Sequence, residues 1–539
     1  MSDDTRANDA ATNDRRRWAG LVFVSIAVAL IIVDSTIVNV AIPSIIKDLS
    51  ISSTQVQWVQ ESYTLVFAAL LLVFGALADR FGRRRMLVLG VTIFALASVL
   101  AASSPSGDLL IGSRVIQGIG GAMVLPTTLS IINATFRGRE RAIAFAVWGS
   151  TIGGMVAVGP LLGGWLTTYF SWRWAFGINI PFAIIIVVGA LLFVAESKNA
   201  GDSTRIDAIG AILSILTSIS FVFGLIEGRT YGWWLPNKPP SWWAFGLSPI
   251  PLAFAVTLIA GALFVWWGLR RQRAGKPTLI AFSLFSITSF RNGNIAALIV
   301  ALGEFGIILS LPLWLQNVLG YSALQTGFVL LALAIGSFVA SGFAGAFGNR
   351  IAPVVIVRVG LGAEIVGVGG LGFVISDSAS WAAVVPFLFV YGFGVGLATA
   401  QLTGVVLKDV PVEQSGQGSG TQSTARQIGS ALGIAILGTV LFTSVGSALD
   451  ARLGDSGVPA STRSSIVNAV VDSSGAAIPA LAKQDAVAGR DAKIAFSDAT
   501  RYAAFSAAGF LVLGFVATLR LGSATPRREP RRREPEAQS

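Results

Sequence analysis

GALADRFGRRR at 75–85 separates two apolar runs of membrane-spanning length, 58–78 and 86–104. Sliding the chain on itself by 270 residues lays this stretch over GAFGNR at 345–350, again after the second apolar run of a group, so that Gly75 falls on Gly345, Asp79 on Asn349 and Arg80 on Arg350. The same offset puts Asp34 over Glu304, each an acid within the first run of its group. Six residues alone could match by chance, but the coincident acids and the equal order of runs make an internal duplication the better reading.

Working outward, the runs 18–42, 58–78, 86–104, 109–135, 142–166 and 174–195 form a first group of six, and 206–226 and 251–269 follow it. A second group of six comprises 295–315, 323–347, 353–375, 381–407, 422–442 and 502–519. A spanning helix needs about 20 mostly apolar residues, so the pattern predicts an all-α polytopic membrane protein of fourteen helices, two six-helix bundles with two inserted helices. The predicted order is a tail at 1–17, a bundle at 18–195, a linker with two helices at 196–290, a bundle at 291–519 and a basic tail at 520–539, with a long extracytoplasmic loop at 446–501. Parallel six-helix repeats around a site near the membrane midplane are one recurring transporter architecture.

Composition agrees. Of 539 residues 53% are apolar and 12% charged, about half the roughly 25% charge of soluble proteins, which excludes a soluble enzyme. The net charge of +11 sits in loops and tails rather than on one face, so topology explains it better than nucleic-acid binding. The chain has no Cys and no His, which removes disulfides, thiolate nucleophiles, His-ligated metals and any Ser-His-Asp triad. No lysine lies in a phosphate-binding loop; Gly275-Lys276 is followed by Pro277. The reading is therefore not an enzyme, with no metal and no cofactor. Residues 1–13 are polar, and the apolar run after them is longer than a signal-peptide core, as expected of a retained first span.

With a cytoplasmic N-terminus, Arg15 to Arg17, Arg80, Arg83 to Arg85, Arg137, Arg139, Arg141, Lys198, Arg205, Arg270, Arg271, Arg273, Lys276, Arg350 and the arginines of 527–533 all fall on the inner side. The short outer loops hold little beyond Lys47, Arg173, Arg229 and Lys238. The cationic segment 446–501 is long, and long loops translocate largely regardless of charge. Both termini are then cytoplasmic, in a multi-pass protein of the cell membrane. Trp233, Trp234, Trp242 and Trp243 flank Pro239 and Pro240 in an outer loop and fit an interfacial belt.

Four carboxylates, Asp34, Glu61, Glu304 and Glu364, lie inside apolar runs, where each charge costs about 2.5–3.5 kcal/mol on insertion scales. At 1.5 Å rise per residue Asp34 lies about 12 Å below the outer end of its helix, and Glu61 and Arg114 roughly 5–9 Å below theirs. Glu304 and Glu364 fall near mid-span. Desolvation and a nearby guanidinium act in opposite directions on a carboxyl group, so a proton and a cation can compete for one site. A buried ion pair is the bland alternative, most plausible for Glu61 with Arg114, which share a depth. Two further segments carry chemistry. Gly75, Asp79, Arg80, Gly82 and Arg83 read either as a charge lock between conformations or as a positive-inside loop. The fifth run holds Gly149, Gly153, Gly154, Gly159, Pro160, Gly163 and Gly164, which fits either static tight packing or a hinge. Gly392, Gly394 and Gly396 read the same way.

These motifs, in this order, resemble the major facilitator superfamily, specifically its fourteen-helix drug:proton antiporter branch, over almost the whole chain. DSTIVNVAIP at 34–43, including Asn39 and Pro43, matches that branch's first-helix signature, and 75–85 matches the superfamily's loop signature, which decides for the lock. Arg114 with Gln117, Gly118, Gly120 and Gly121 resembles the fourth-helix motif whose Arg is implicated in proton transfer. Gly159-Pro160 with Gly163 and Gly164 resembles the antiporter motif, and Trp172, Arg173, Trp174, Phe176, Asn179 and Pro181 match the segment after it. Arg426-Gln-Ile-Gly429 resembles a recurring element of the thirteenth helix. In the second-half loop Asn349 replaces the acid, which weakens any lock there.

The resemblance implies a major facilitator fold working by alternating access and exporting amphiphilic, cationic drugs or antibiotics against inward proton flow. Asp34 with Glu304 would bind protons and substrate in turn, with Arg114 tuning release, and the partners would be membrane lipids, small amphiphiles and protons, with a monomeric protein and no nucleic acid. A lipid or lysolipid carrier of the same fold shares every motif. A non-transporting scaffold or receptor is the alternative of another class; it predicts that the embedded acids can be neutralised without consequence.

Overall fold

The computed structural model describes residues 3–51, 53–198, 207–236, 243, 245–347 and 351–521. The expectations for Arg205, Lys238, Pro239, Pro240, Trp242, Asn349, Arg350 and the arginines of 527–533 lie outside the described residues, as do the side chains of Asn39, Pro43 and Arg229.

The described chain is helical throughout and no strand occurs among the described residues. The helices are α1 (Asp3–Leu49), α2 (Ser53–Phe81), α3 (Arg83–Ala102), α4 (Gly107–Thr135), α5 (Gly138–Tyr169), α6 (Trp174–Gly177), α7 (Asn179–Phe193), α8 (Ala208–Tyr231) and α9 (Pro249–Arg273). They continue as α10 (Thr288–Asn317), α11 (Ala323–Phe347), α12 (Pro353–Val374), α13 (Trp381–Val406), α14 (Ser415–Asp455), α15 (Ala460–Asp472), α16 (Ile478–Gln484) and α17 (Ala486–Leu519). The offset of 270 holds at backbone level: α2 and α3 begin at Ser53 and Arg83, and α11 and α12 at Ala323 and Pro353.

The packing repeats as well. In the first half α1 packs on α4, α5 and α7, α4 on α2 and α3, and α3 on α7; in the second, α10 packs on α13, α14 and α17, α13 on α11 and α12, and α12 on α17. The contacts between halves obey the same two-fold relation, with α2 on α14 mirrored by α11 on α5, and α4 on α14 mirrored by α13 on α5. Two related bundles thus meet along six helices, α2, α4, α5, α11, α13 and α14, while α8 and α9 lie outside both, with α8 touching α2 and α14 at once. Large apolar side chains such as Val22, Leu96, Ile184, Leu258, Phe328, Val366 and Phe373 stay exposed, as a protein whose solvent is hydrocarbon requires.

Twelve helices among the described residues are long and apolar enough to cross a membrane, and thirteen if the two parts of α5 count as one span; α11 adds a shorter apolar stretch, Leu324–Ala340. The sequence count of fourteen therefore stands at twelve or thirteen by this measure. The break in α5 is a 41° bend between Gly138–Val156 and Val158–Tyr169. Pro160 explains it, because a proline inside a helix removes the hydrogen bond to the carbonyl four residues earlier, here that of Val156.

Segment 446–501, expected as a long loop, is largely helical. α14 runs on to Asp455, α17 starts at Ala486, and α15 and α16 pack between them. Leu449 and Leu453 of α14 join Val470, Ile478, Ala488, Ala492, Ala495 and Phe496 in a buried apolar layer, and Arg452–Asp498 and Arg463–Asp450, each at 3.1 Å, pin its edge. Apolar residues three and four apart on otherwise polar helices produce this layer, a pattern too sparse to read as a span.

Candidate functional site

In the first half α1 and α4 bring Asp34 and Arg114 together in an ion pair of 2.6 Å, with 0% and 1% of the residues exposed. Arg114 also donates to Gln117 Oε1 at 2.8 Å and, through Nε, to the Val59 carbonyl at 3.1 Å, and its guanidinium lies 4.3 Å from the Tyr63 ring centroid. The other Asp34 oxygen accepts from Asn179 of α7 at 2.7 Å and from Gln117 at 3.2 Å. Both amides in turn donate to Ser98 of α3, at 3.1 and 2.8 Å. Five helices, α1, α2, α3, α4 and α7, thus converge on one carboxylate. Arg114 pairs with Asp34 and not with Glu61, as depth alone had suggested: helices at equal depth face different neighbours, and Glu61 lies half-buried on α2, the helix on which α8 packs.

The second half holds a different arrangement. Glu304, 2% exposed on α10, accepts from Thr399 of α13 at 2.9 Å and from Arg426 of α14 at 3.3 Å. Tyr391 donates to the Glu304 backbone carbonyl at 3.1 Å. Glu364 of α12 is 0% exposed, and neither of its oxygens has a hydrogen-bond partner among the described residues; Glu304 and Arg426 are the charges that act on it. Asp34 and Glu304 are related by the repeat, yet their arginines come from α4 and α14, which are not. The first cluster balances one acid with one base, while the second sets two acids against one base. A carboxylate held in a dry site without a partner is costly, so the second cluster has room for one further positive charge, a proton or a cation.

Sequence reasoning missed Ser98, Tyr63, Thr399 and Tyr391, which have no charge to betray them inside apolar runs. It also missed a fifth embedded acid: Glu227, 1% exposed, lies within the apolar stretch Ala208–Gly228 of α8. The apolar run at 206–226 stops one residue short of it.

At the arginine-rich end of the bundle Asp79 bonds from α2 to α14, across the two halves. Arg83 donates to its Oδ1 at 2.7 Å, and Gly416 N and Gln417 N, in the first turn of α14, donate to Oδ1 and Oδ2 at 2.7 and 3.0 Å. A carboxylate at a helix N-terminus answers both free N–H groups and the helix dipole. Arg83 crosses the same seam to the Val412 carbonyl at 2.7 Å, and Asn133 of α4 reaches Ser415 at 2.8 Å. Gly75 makes this contact sterically feasible, since a Cβ there would lie 2.6 Å from the Gly416 carbonyl oxygen. Gly82 has φ +107, which favours glycine, and a Cβ on it would meet the Glu196 carboxylate that caps α3 through Arg84 N and Arg85 N. Arg80 instead lies over the Phe81 ring.

The glycines of α5 serve two faces. Gly159 and Gly163 lie against Thr36 and Ile37 of α1, immediately beyond Asp34, while Gly149 and Gly153 lie against Ala400 of α13 and Ser337 of α11 in the other half. Gly164 is buried, and Pro160 bends the helix between those faces, so close packing and a bend coexist. At the opposite end of the bundle Asp48 pairs with Arg173 and accepts from Trp172 Nε1 at 3.0 Å, which hold its carboxyl below the usual range.

Residues 24–434 match the family model described as Major Facilitator Superfamily. A protein of Streptomyces coelicolor named "Probable actinorhodin transporter" is 34% identical over 453 residues, 82% of this chain and 75% of that one. The "Multidrug efflux pump LfrA" of Mycolicibacterium smegmatis is 32% identical over 441 residues, 81% of this chain and 84% of that one. Among solved structures, the human organic anion transporter MFSD10 superposes with a TM-score of 0.58 at 14% identity, covering 94% of this chain and 99% of the other.

Proposed function

Because the chain belongs to the major facilitator superfamily and its relatives are named as multidrug and antibiotic efflux proteins, we propose that it exports amphiphilic cations in exchange for protons by alternating access. The observation that carries this reading is the unequal charge balance of the two buried clusters: Asp34 has its counter-charge in Arg114, whereas Glu304 and Glu364 share Arg426.

The residues divide the work as follows. Protonation of Asp34 removes the counter-charge of Arg114 and leaves that guanidinium with Gln117, the Val59 carbonyl and the rings of Tyr63 and Phe176. This buried, unbalanced state favours repacking of α1 against α4 and of the bent α5 beside them, which moves the seam with α11 and α13. At the other cluster a cation takes the place of the proton beside Glu304 and Glu364, so loading one expels the other. On this reading the bonds from Asp79 to α14 hold the arginine-rich end closed. With that end in the cytoplasm, as the positive-inside rule gives, the substrate leaves outward and both described ends of the chain lie inside. The protein works as a monomer in the plasma membrane with the proton gradient as its energy source and no cofactor.

Purified protein in proteoliposomes tests this. A lipophilic cation, tetraphenylphosphonium, is expected to be driven toward the acidic side under an imposed pH gradient. Asp34→Asn is expected to lose the gradient-driven part while retaining exchange of labelled for unlabelled cation. Gradient-driven transport that persists unchanged in Asp34→Asn overturns the role given to that acid.

A further inference from the structure

The two inserted helices are tied to the lock. Asp207 caps α8 by accepting from Gly210 N at 3.0 Å, accepts from Trp267 Nε1 of α9 at 2.9 Å, and accepts from Leu279 N, beyond α9, at 3.3 Å. Arg271 lies 3.7 Å from the same carboxylate and donates to the Pro277 carbonyl at 2.9 Å. Asp207 is only 6% exposed, so one buried acid gathers the start of α8, the end of α9 and the chain that follows. That chain then crosses the seam between the bundles. Leu279 and Ile280 are buried against Leu72 of α2, in the first half. One residue later Ala281 N donates to Gln417 Oε1 of α14 at 2.7 Å, in the second half. Gln417 is also the residue whose backbone N–H reaches Asp79.

We propose that residues 277–281 form a strap across the closed seam, and that Asp207 and Gln417 are positioning residues which hold α14 against the Asp79 lock. The inserted pair α8 and α9 is then an anchor for the closed state. The strap cannot stay bound to both halves when the arginine-rich end opens, because Leu279 and Ile280 sit on α2 while Ala281 is bonded to α14. Opening therefore breaks the Ala281–Gln417 bond together with the two bonds from Asp79 to α14. The proposal rests on the alternating-access part of the reading above and not on its proton coupling.

The absence of native cysteine permits a direct test. Spin labels on Arg139→Cys and Glu413→Cys, both exposed and on opposite sides of the seam, report the opening as a distance, without substrate or gradient. Asp207→Asn retains an oxygen for the α8 cap but turns a donor toward Leu279 N; Gln417→Ala removes the acceptor for Ala281 N and leaves the backbone bond to Asp79. Each is expected to raise the open-to-closed ratio about five-fold, the worth of one ordinary hydrogen bond. The double variant is expected to shift it no further than either single one, because the two bonds act in series. Melting temperatures, recorded alongside, separate this from general loosening, and Gln417→Ala, at a half-buried side chain, carries the test if Asp207→Asn does not fold. Native distance distributions in Gln417→Ala, or shifts that multiply in the double variant, overturn the strap. If the distances shift as expected while proton-coupled transport is absent, the strap stands and the antiport reading falls.

Discussion

Arg114→Ala is expected to lower the stability of the purified protein by about 3–5 kcal/mol, the usual result of stripping one partner from a buried ion pair. Asp34 would keep its amide donors, Asn179 and Gln117, but lose the one ionic partner it has among the described residues, at a site of zero exposure. The Val59 carbonyl would lose its side-chain donor, and the Tyr63 ring its cation. Unfolding in detergent, followed by denaturant titration, measures the loss. The double variant Asp34→Asn with Arg114→Ala is expected to recover part of it, because no buried charge is then left alone. A loss below about 1 kcal/mol would be that of an exposed surface pair and would contradict the buried geometry.

Asp79→Ala is expected to have the largest effect on the conformational cycle. It removes two charge-assisted bonds across the seam, to Gly416 N and Gln417 N, at about 1.5–3 kcal/mol each. Even at the lower figure the sum, about 3 kcal/mol, weakens the closed arginine-rich end by roughly a hundred-fold. Arg83, 2% exposed, is left with the Val412 carbonyl and Ser197. Transport in proteoliposomes should fall to a small residue, and the label pair across the seam should report a mostly open population. Native transport rates with native distances would show that Asp79 is a loop residue and not a lock.

The fold was legible because the repeat left marks at one offset: the acids at 34 and 304 and the glycine-led loops at 75 and 345 anticipate helices whose neighbours correspond pair by pair. The helical layer around Leu449 and Phe496 was not legible, because short amphipathic helices lack the long apolar run by which spans are found. At the site, charge was visible and company was not. Depth along a helix places Asp34, Glu61 and Arg114 at similar heights but says nothing of direction around the axis, and direction decides that Arg114 meets Asp34. Ser98, Thr399 and Tyr391 carry no charge, so only the structure reveals them as partners. Arg426 was visible as part of a motif, and Glu304 as an embedded acid, but their pairing was not.

The central claim, that a proton and a cation compete for buried carboxylates, is tested most directly by proton release. Tetraphenylphosphonium is added to the purified native protein in weakly buffered detergent, and the pH change is recorded. Protons should appear in solution as the cation binds, and the release should vanish in the variant carrying Asp34→Asn, Glu304→Gln and Glu364→Gln. Cation binding to the native protein with no proton release, and with equal affinity in the triple variant, would contradict it.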